Sequence, residues 1–302
     1  MASIAYKKLE NGWLPHKHED KVVTSCSSLE VSAIAAGRED EILSVLSVAS
    51  LTNVIMTGFI RDNTLVSPLN RGHFYTCRNE QDELEGIALI GHTVLFEAFS
   101  ERAIEAVAAI TRRERSAHLL MGEHNAVQRF WNYYAERGQS PRHVCPILFM
   151  HRQEAFEDQQ QVLGLRPATS EDLEHVVQSQ AAMALETSGV DPLQKDPIGF
   201  RERYMRRIEK QRVWVLMKNG RLLFKLDVIA DTPAAAYIEG VYVDPEERGK
   251  GLGGRCLTEV GRILLNRTQA IYLFVEADDT RTKSFYLKLG FDVAGQYDLL
   301  YF

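Results

Sequence analysis

The apolar residues of this chain fall into two runs of elements with the same order. From Arg38 onward, Ile42, Leu43, Val45, Leu46 and Val48 supply the apolar surface of a helix over 41–51. Asn53–Ile60 either continues that helix or forms a second short one. Gly72–Arg78 reads as a strand, the acidic stretch 79–85 as a hairpin-like turn, and Gly86–Phe96 as one strand or two. Ser100 starts a helix over Glu101–Thr111, and a short strand over 117–121, a helix over 125–136 and a strand over 143–150 follow. The second run opens at Thr169-Ser170-Glu171-Asp172, which has the spacing of a helix-capping sequence. Next come a basic helix over 200–212 and a hairpin of Val213–Met217 with Leu222–Ile229 around Lys218-Asn219-Gly220. A strand over 235–243, a glycine-rich loop, a helix to Arg267, a strand over 271–275, a helix over 282–289 and a closing strand over 293–302 complete it.

The two runs look like copies of one unit. His118–Glu123 followed by Phe130-Trp131 matches Tyr272–Glu276 followed by Phe285-Tyr286. The polar stretch Arg152–Gln161 reads as a linker, with a boundary near residue 160. The expected organisation is therefore an N-terminal arm over 1–36, a first lobe over 37–160 and a second over 161–302. In the arm, Asn11-Gly12-Trp13-Leu14-Pro15 marks a turn and Val22–Ser28 reads as a segment that packs on something else. His16-Lys17-His18 lacks the further ligands a metal site needs, so no metal is expected.

Composition narrows the class. The 302 residues are 45% hydrophobic and 25% charged, which is ordinary globular material. A formal net charge of −6 argues against nonspecific nucleic-acid binding, and Arg112-Arg113-Glu114-Arg115 reads as a solvated helix face. Cys26, Cys77, Cys145 and Cys256 are far apart and match neither a disulfide framework nor a zinc site. With no long apolar run and no apolar core near the start, the expectation is a reduced, soluble, cytoplasmic protein with no membrane partner.

The chemistry concentrates at residues 237–254. There an apolar strand meets a proline-marked turn, a glycine-rich loop and a helix whose face is Cys256, Leu257, Val260, Gly261 and Leu264. Glycines ahead of a helix let the backbone approach a phosphate, and the helix N–H groups and dipole hold the anion. Gly249, Gly251 and Gly254 fit the dinucleotide pattern, with Glu276 as the distal acid. Against a dinucleotide, residues 244–248 separate strand from glycines, and too little chain follows for the remaining βαβ units.

The spacing Val241-x-Val243-x-Pro245-x-x-Arg248-Gly249-x-Gly251-x-Gly253 resembles the acyl-CoA pyrophosphate loop of the GCN5-related N-acetyltransferase (GNAT) superfamily. Phe274–Asp279 and Ser284–Phe291, with Tyr286 ahead of Gly290-Phe291, resemble the family's next strand and helix end. The specific resemblance covers roughly 163–302; over 38–150 it rests on element order. It implies an α/β (α+β) fold of two tandem GNAT-like lobes, each a mixed, mostly antiparallel sheet flanked by helices. Acetyl-CoA is the implied cosubstrate, with its pyrophosphate on the N–H groups of Arg248, Gly249, Lys250, Gly251, Leu252, Gly253 and Gly254. The main chain of Val241, Tyr242 and Val243 is implied to run beside the pantetheine arm, with Phe285 and Asp279 nearby. The family often has Asn and Ala where this chain has Asp279 and Thr282, which removes one amide contact.

Within that resemblance Tyr286 is the general acid for the leaving thiolate, since a phenol can protonate a thiolate of lower pKa. Glu239 is the expected base; period-two alternation puts it on one face with Val241 and Val243. Met183–Gly189 and Phe200–Tyr204 are expected on the acceptor side, with His175, Arg203 and Arg206 as possible anchors. In the first lobe the counterpart of the loop, Thr93–Ser100, has no glycine and two acidic neighbours, and Trp131 stands where Tyr286 does. That lobe reads as degenerate. The leading function is an N-acetyltransferase acting on a small-molecule or peptide amine. A non-turnover acyl-CoA sensor, an aminoacyl-tRNA-dependent transferase and a dinucleotide oxidoreductase are the alternatives; monomer and homodimer both remain open.

Overall fold

The computed structural model describes residues 29–47, 51–157 and 161–302. The histidine pair at 16 and 18, and the proposed arm through Ser28, lie outside the described residues. Two compact units emerge. The N-terminal unit holds the described residues through Phe149 together with Ala294–Phe302, and the C-terminal unit holds those from Met150 to Val293.

In the N-terminal unit, β1 (Glu30–Ala33), β2 (Gly72–Arg78), β3 (Leu84–Gly91), β4 (Thr93–Ala98) and β5 (Leu119–Glu123) follow one another across the sheet. The 86–96 region is two strands, because Gly91 packs against the Arg71–Gly72 backbone too closely for any side chain and the chain reverses there. The β2–β3 turn is tied by Asn79, whose Oδ1 accepts from the N–H groups of Gln81 and Glu83 at 3.0 and 2.9 Å. β1 was not foreseen: it lies at the end of the 1–36 stretch, yet pairs antiparallel with β2, Glu30 opposite Arg78. The last strand of the chain, β12 (Asp292–Tyr301), runs antiparallel to β5, from Tyr297 opposite Glu123 to Tyr301 opposite Leu119. On its far side runs β6 (His143–Arg152). The helices are α1 (Glu39–Val45), α2 (Leu51–Asn63), α3 (Glu101–Glu114) and α4 (His124–Tyr134). Phe96, Ile104, Val107, Leu120, Phe130 and Leu300 form the heart of this core.

The C-terminal unit orders its strands β11 (Ile271–Glu276), β10 (Ala236–Val243), β9 (Arg221–Asp231), β8 (Val213–Lys218) and β7 (Leu165–Pro167). Every pair among these is antiparallel except β10 with β11. The β8–β9 hairpin turns on Asn219 and Gly220, both at positive φ (51° and 71°), the conformation that matches the twist of a two-residue hairpin. One face carries α5 (Leu173–Ser188), the short α6 (Pro192–Lys195) and α7 (Pro197–Glu209), while α8 (Leu252–Leu265) and α9 (Thr280–Lys288) follow β10 and β11. Val176, Val177, Phe200, Tyr204, Ile208, Val213 and Val215 pack together under α5 and α7. α7 starts three residues before the basic stretch suggests, because Asp196 caps it, accepting from the Gly199 N–H at 2.9 Å.

The capping sequence at Thr169 does form. Asp172 accepts from the Thr169 N–H at 2.7 Å and takes the Arg166 guanidinium through both oxygens, at 2.6 and 3.1 Å. Burial alone raises the Asp172 pKa, but Arg166 and the Thr169 N–H outweigh it and hold the carboxyl below its ordinary value. A depressed pKa stabilises the fold above the unfolded carboxylate's pKa and loses that contribution as pH falls through the native value. Asp172→Asn is therefore expected to cost about 1 kcal/mol at neutral pH, with the difference shrinking as acid titrates the wild type. Urea unfolding of both proteins along a pH series from neutral to strongly acidic checks this; a constant difference at every pH is the contrary result.

Candidate active site

β10 and β11 pair only at Ala236 with Ile271 and at Tyr237 with Tyr272. Beyond those pairs a cleft opens, lined by Tyr237, Ile238, Glu239, Gly240, Val241, Leu273, Phe274 and Tyr286. The local cause is on the other edge of β10, where the register against β9 shifts between Tyr237 and Ile238 and again between Glu239 and Tyr242. Glu239 and Tyr242 face Asp227 and Lys225 of β9, so three steps of β10 oppose two of β9. The extra residue is absorbed at Gly240, whose φ of +60° a residue with a side chain rarely adopts.

This bulge corrects one expectation. Strict alternation puts Glu239 on one face with Val243, but the register puts Glu239 and Tyr242 on the face of Asp227 and Lys225. Tyr242 packs there against the α5–α7 core, whereas Val243 meets α8: a Cβ built on Gly253 would lie 2.9 Å from Val243 Cγ2. Glu239 thus faces the side of α5 and α7. It is half-buried, and the Tyr237 hydroxyl donates to its Oε1. Burial raises the Glu239 pKa above the ordinary carboxylate value, partly offset by that hydrogen bond and by Arg207.

After β10 the chain makes a single turn over Pro245–Glu247, capped by Asp244, whose Oδ1 accepts from the Glu246 N–H at 2.9 Å. Arg221 braces Asp244 at 2.9 Å. Arg248 Nε donates to the Val243 carbonyl at 3.1 Å, and Lys250 forms an exposed ion pair with Glu247 at 3.4 Å. Gly249 and Gly251 both take positive φ, 78° and 76°. Gly251 is the N-cap of α8 and supplies no side-chain acceptor, so Leu252, Gly253 and Gly254 open the helix without a side-chain cap. Their N–H groups form the kind of helix start that receives an anion. Gly253 also lies close to Phe285, 3.8 Å from a built Cβ to Cζ, and Gly254 faces Leu289.

Asp279 caps α9, accepting from the Thr282 N–H at 2.9 Å, and so holds the helix that carries the tyrosine. Tyr286 is buried between Phe285 and Phe291, with ring centroids 5.1 and 5.6 Å away in edge-on contact. Burial, reinforced by the charge of Asp279, pushes its phenol well above the usual value, so it is a protonated donor throughout the working range. Of the suggested acceptor-side residues, Phe200 and Tyr204 are core residues, and His175 is exposed. Arg203 pairs with Asp196 at 2.9 Å and Arg206 with Glu202 at 4.0 Å.

Sequence reasoning brought Glu239 and Tyr286 to the cleft but missed Tyr237, Leu273 and Phe274 as its walls. It also missed Lys225 and Asp227 beneath it, although two opposite charges inside the apolar run Leu222–Ile229 are a readable anomaly. Among the described residues no cluster of side chains has the makings of a metal site, and no helix is long and apolar enough to cross a membrane.

The N-terminal unit repeats the frame with a closed site. β4 and β5 pair in parallel only at Thr93 with Leu119 and Val94 with Leu120. There, however, Phe96 of β4 stacks on the wholly buried Phe130 at 5.7 Å, and Phe130 also meets Tyr134 and Phe302. The start of α3 is occupied too: Ser100 Oγ accepts from the Ala103 N–H at 3.2 Å and donates to Glu85, which also binds Arg102. A capped helix start beside a carboxylate offers nothing to a phosphate.

A cleft between two parting parallel strands, running into an uncapped glycine-led helix, defines the class of the C-terminal unit. Residues 185–291, about a third of the chain, match the model of the acetyltransferase (GNAT) family. Solved structures share the fold at low identity. A GNAT-family acetyltransferase from Colwellia psychrerythraea is 13% identical, with 90% of this chain and 99% of that chain covered and a TM-score of 0.57. A Drosophila protein is 12% identical over 90% and 98% of the two chains, with a TM-score of 0.62. A tandem GNAT protein from the clavulanic acid biosynthesis pathway is 13% identical over 90% and 97%, with a TM-score of 0.56. The search of curated proteins returned no match.

The bulge gives a direct test. A Cβ at position 240 would lie 2.8 Å from both Asp227 Oδ2 and Lys225 Nζ and 3.0 Å from Gln180 Oε1. Gly240→Ala should therefore destabilise the protein by about 1–3 kcal/mol, whereas Gly220→Ala, which meets nothing, should cost only the strain of positive φ. Comparing the two in thermal unfolding checks it, and equal losses would show that crowding at 240 is relieved elsewhere.

Proposed function

We propose that this protein is an acyl-CoA-dependent N-acetyltransferase that moves an acetyl group from acetyl-CoA to an amine by direct attack. The catalytic domain on this reading is 161–302, the first lobe over 37–160 is structural, and the acceptor is a small-molecule or peptide amine. One observation carries the reading: Glu239 and Tyr286 line the same cleft, and the strand that forms it runs into the uncapped start of α8.

The residues divide the work. The N–H groups from Gly249 to Gly254 hold the pyrophosphate, with the charges of Arg248 and Lys250 at the rim. The parted edge of β10 at Val241–Val243 offers main-chain groups to an extended arm, as an added strand would. A main-chain N–H of this edge also stabilises the oxygen of the thioester carbonyl as charge develops on it. Glu239 removes the proton from the attacking amine, directly or through a water. Its raised pKa brings it closer to the amine it must deprotonate, and its Oε2 is left to the acceptor by the Tyr237 bond to Oε1. The carbon–sulfur bond then breaks and Tyr286, protonated because it is buried, gives its proton to the departing thiolate.

Thermal unfolding with each candidate ligand supplied at about a hundredfold the dissociation constant expected of a cofactor tests the reading. Acetyl-CoA and CoA should each add roughly 2.7 kcal/mol, and NADH and NADPH nothing. A shift with a nicotinamide alone is the contrary result. For the chemistry, Tyr286→Phe should lower kcat on the order of 10²-fold with KM for acetyl-CoA nearly unchanged. Glu239→Gln should abolish the acid limb of kcat/KM, which in the wild type rises as pH passes the elevated Glu239 pKa. If thiol release is undetectable for every amine while acetyl-CoA still stabilises the fold, the protein is an acyl-CoA-binding sensor.

A further inference from the structure

Beneath Gly240 lies a charged cluster to which the reaction above assigns no task. Lys225 is wholly buried and Asp227 is 1% exposed. Lys225 Nζ donates to Asp227 Oδ2 at 2.7 Å and to Gln180 Oε1 at 2.8 Å, and the Tyr204 hydroxyl donates to the same Asp227 oxygen at 3.1 Å. Arg207 approaches that oxygen to 3.7 Å from the rim of α7, with its guanidinium 5.1 Å from the Tyr204 ring centre. Asp227 stands directly opposite Glu239 on the neighbouring strand. The contact through Gly240 puts Lys225 immediately behind the residue that follows Glu239.

Stability does not account for this arrangement. A buried ion pair rarely outperforms an apolar pair of the same volume, because desolvation offsets the attraction. This one is also incompletely satisfied, since Asp227 Oδ1 is buried without a hydrogen-bond partner. What such a pair does supply is a strong, fixed field at a neighbouring ionisable group, because little water is present to screen it. The nearest such group in the cleft is Glu239.

We propose that Lys225, Arg207 and Asp227 are positioning residues for acyl transfer, a buried ion pair and a guanidinium at its rim that together fix the ionisation of Glu239. The proposal rests on Glu239 acting as the base. The groups around Glu239 are Tyr237 from its own strand, Lys225 and Asp227 from β9, Tyr204 and Arg207 from α7, and Tyr286 from α9. The three tyrosines are neutral donors, so the charge acting on Glu239 is two cations against one anion. Arg207 and Lys225 favour the carboxylate and Asp227 opposes it, against a background of burial that favours the acid. Burial lowers the Lys225 pKa, and the Asp227 carboxylate beside it works against that.

The opposed signs make the test specific. The Glu239 carboxylate is titrated by carbon-13 NMR in the full-length protein, its signal assigned by its loss in Glu239→Gln, and the pH profile of kcat/KM is measured in parallel. Lys225→Met and Arg207→Gln should raise the Glu239 midpoint by about one pH unit, and Asp227→Asn should lower it by a similar amount. The acid limb of the profile should move with the midpoint in each variant. If Lys225→Met fails to fold, Arg207→Gln, altered at the half-exposed rim, and Asp227→Asn still give opposite signs. A cluster with only a packing role would lower stability in all three and leave the midpoint in place, and that overturns the proposal while the base assignment stands. An acid limb that survives in Glu239→Gln overturns the base assignment and this proposal with it, whatever the midpoints do.

Discussion

The C-terminal unit depends on an irregular ladder between β9 and β10, whose register shifts at Tyr237/Ile238 and again at Gly240. Where three steps of β10 oppose two of β9, the ladder between them is kept, but β10 kinks at Gly240 and parts from β11. We attribute the cleft to this bulge together with the register shift at Tyr237/Ile238, where the pairing with β11 ends, since a bulge bends the strand that carries it and increases its twist. The kink also decides which way Glu239 points, and it requires a glycine, because a Cβ at 240 would collide with Lys225 and Asp227. The cleft and the direction of the carboxylate are therefore tied to two irregularities in the β9–β10 ladder, at Tyr237/Ile238 and at Gly240.

The N-terminal unit shows that the parted strands alone do not make a site. Its parallel pair has the same two-rung ladder, yet Phe96 and Phe130 fill the space with apolar surface, and Ser100 with Glu85 closes the helix start that would otherwise face an anion. Burying Phe130 completely is worth a few kcal/mol of stability, which an open cleft cannot contribute. One lobe spends its frame on packing and the other keeps it open. Part of that packing comes from the end of the chain, since β12 pairs with β5 and Phe302 packs on Phe130.

The cleft is lined by two groups whose native pKa values are raised for different reasons. Tyr286 is pushed up by burial among Phe285 and Phe291, which makes it a dependable proton donor and a poor anion. Glu239 is pushed up by burial but held back by surrounding cations, so its proton affinity is open to adjustment by its neighbours. On the mechanism proposed above, matching proton affinities to task in this way lets a single cleft carry both an acid and a base.

Much of this was legible in the primary structure. Alternating and 3.6-spaced apolar residues determined most of the elements, because each must bury one face wherever it is placed. Asn219-Gly220 determined the hairpin, Thr169 and Asp172 the cap, and the spacing of Gly249, Gly251 and Gly253 the uncapped start of α8, because these depend on local backbone conformation and local hydrogen bonds. Interactions between distant segments were not legible. The edge strand β1, the pairing of β12 with β5 and the filling of the first lobe by Phe130 are decided by partners 34 to 182 residues away. The bulge at Gly240 belongs with them. Period-two alternation assumes an unbroken ladder, and only the register against β9 reveals the extra residue that turns Glu239 toward Asp227 and Lys225. The sequence by itself singled out Glu239, Tyr286 and the glycine-led helix, because local pattern and spacing mark them; the tertiary structure decided which way they face, which walls enclose them and what charge surrounds them.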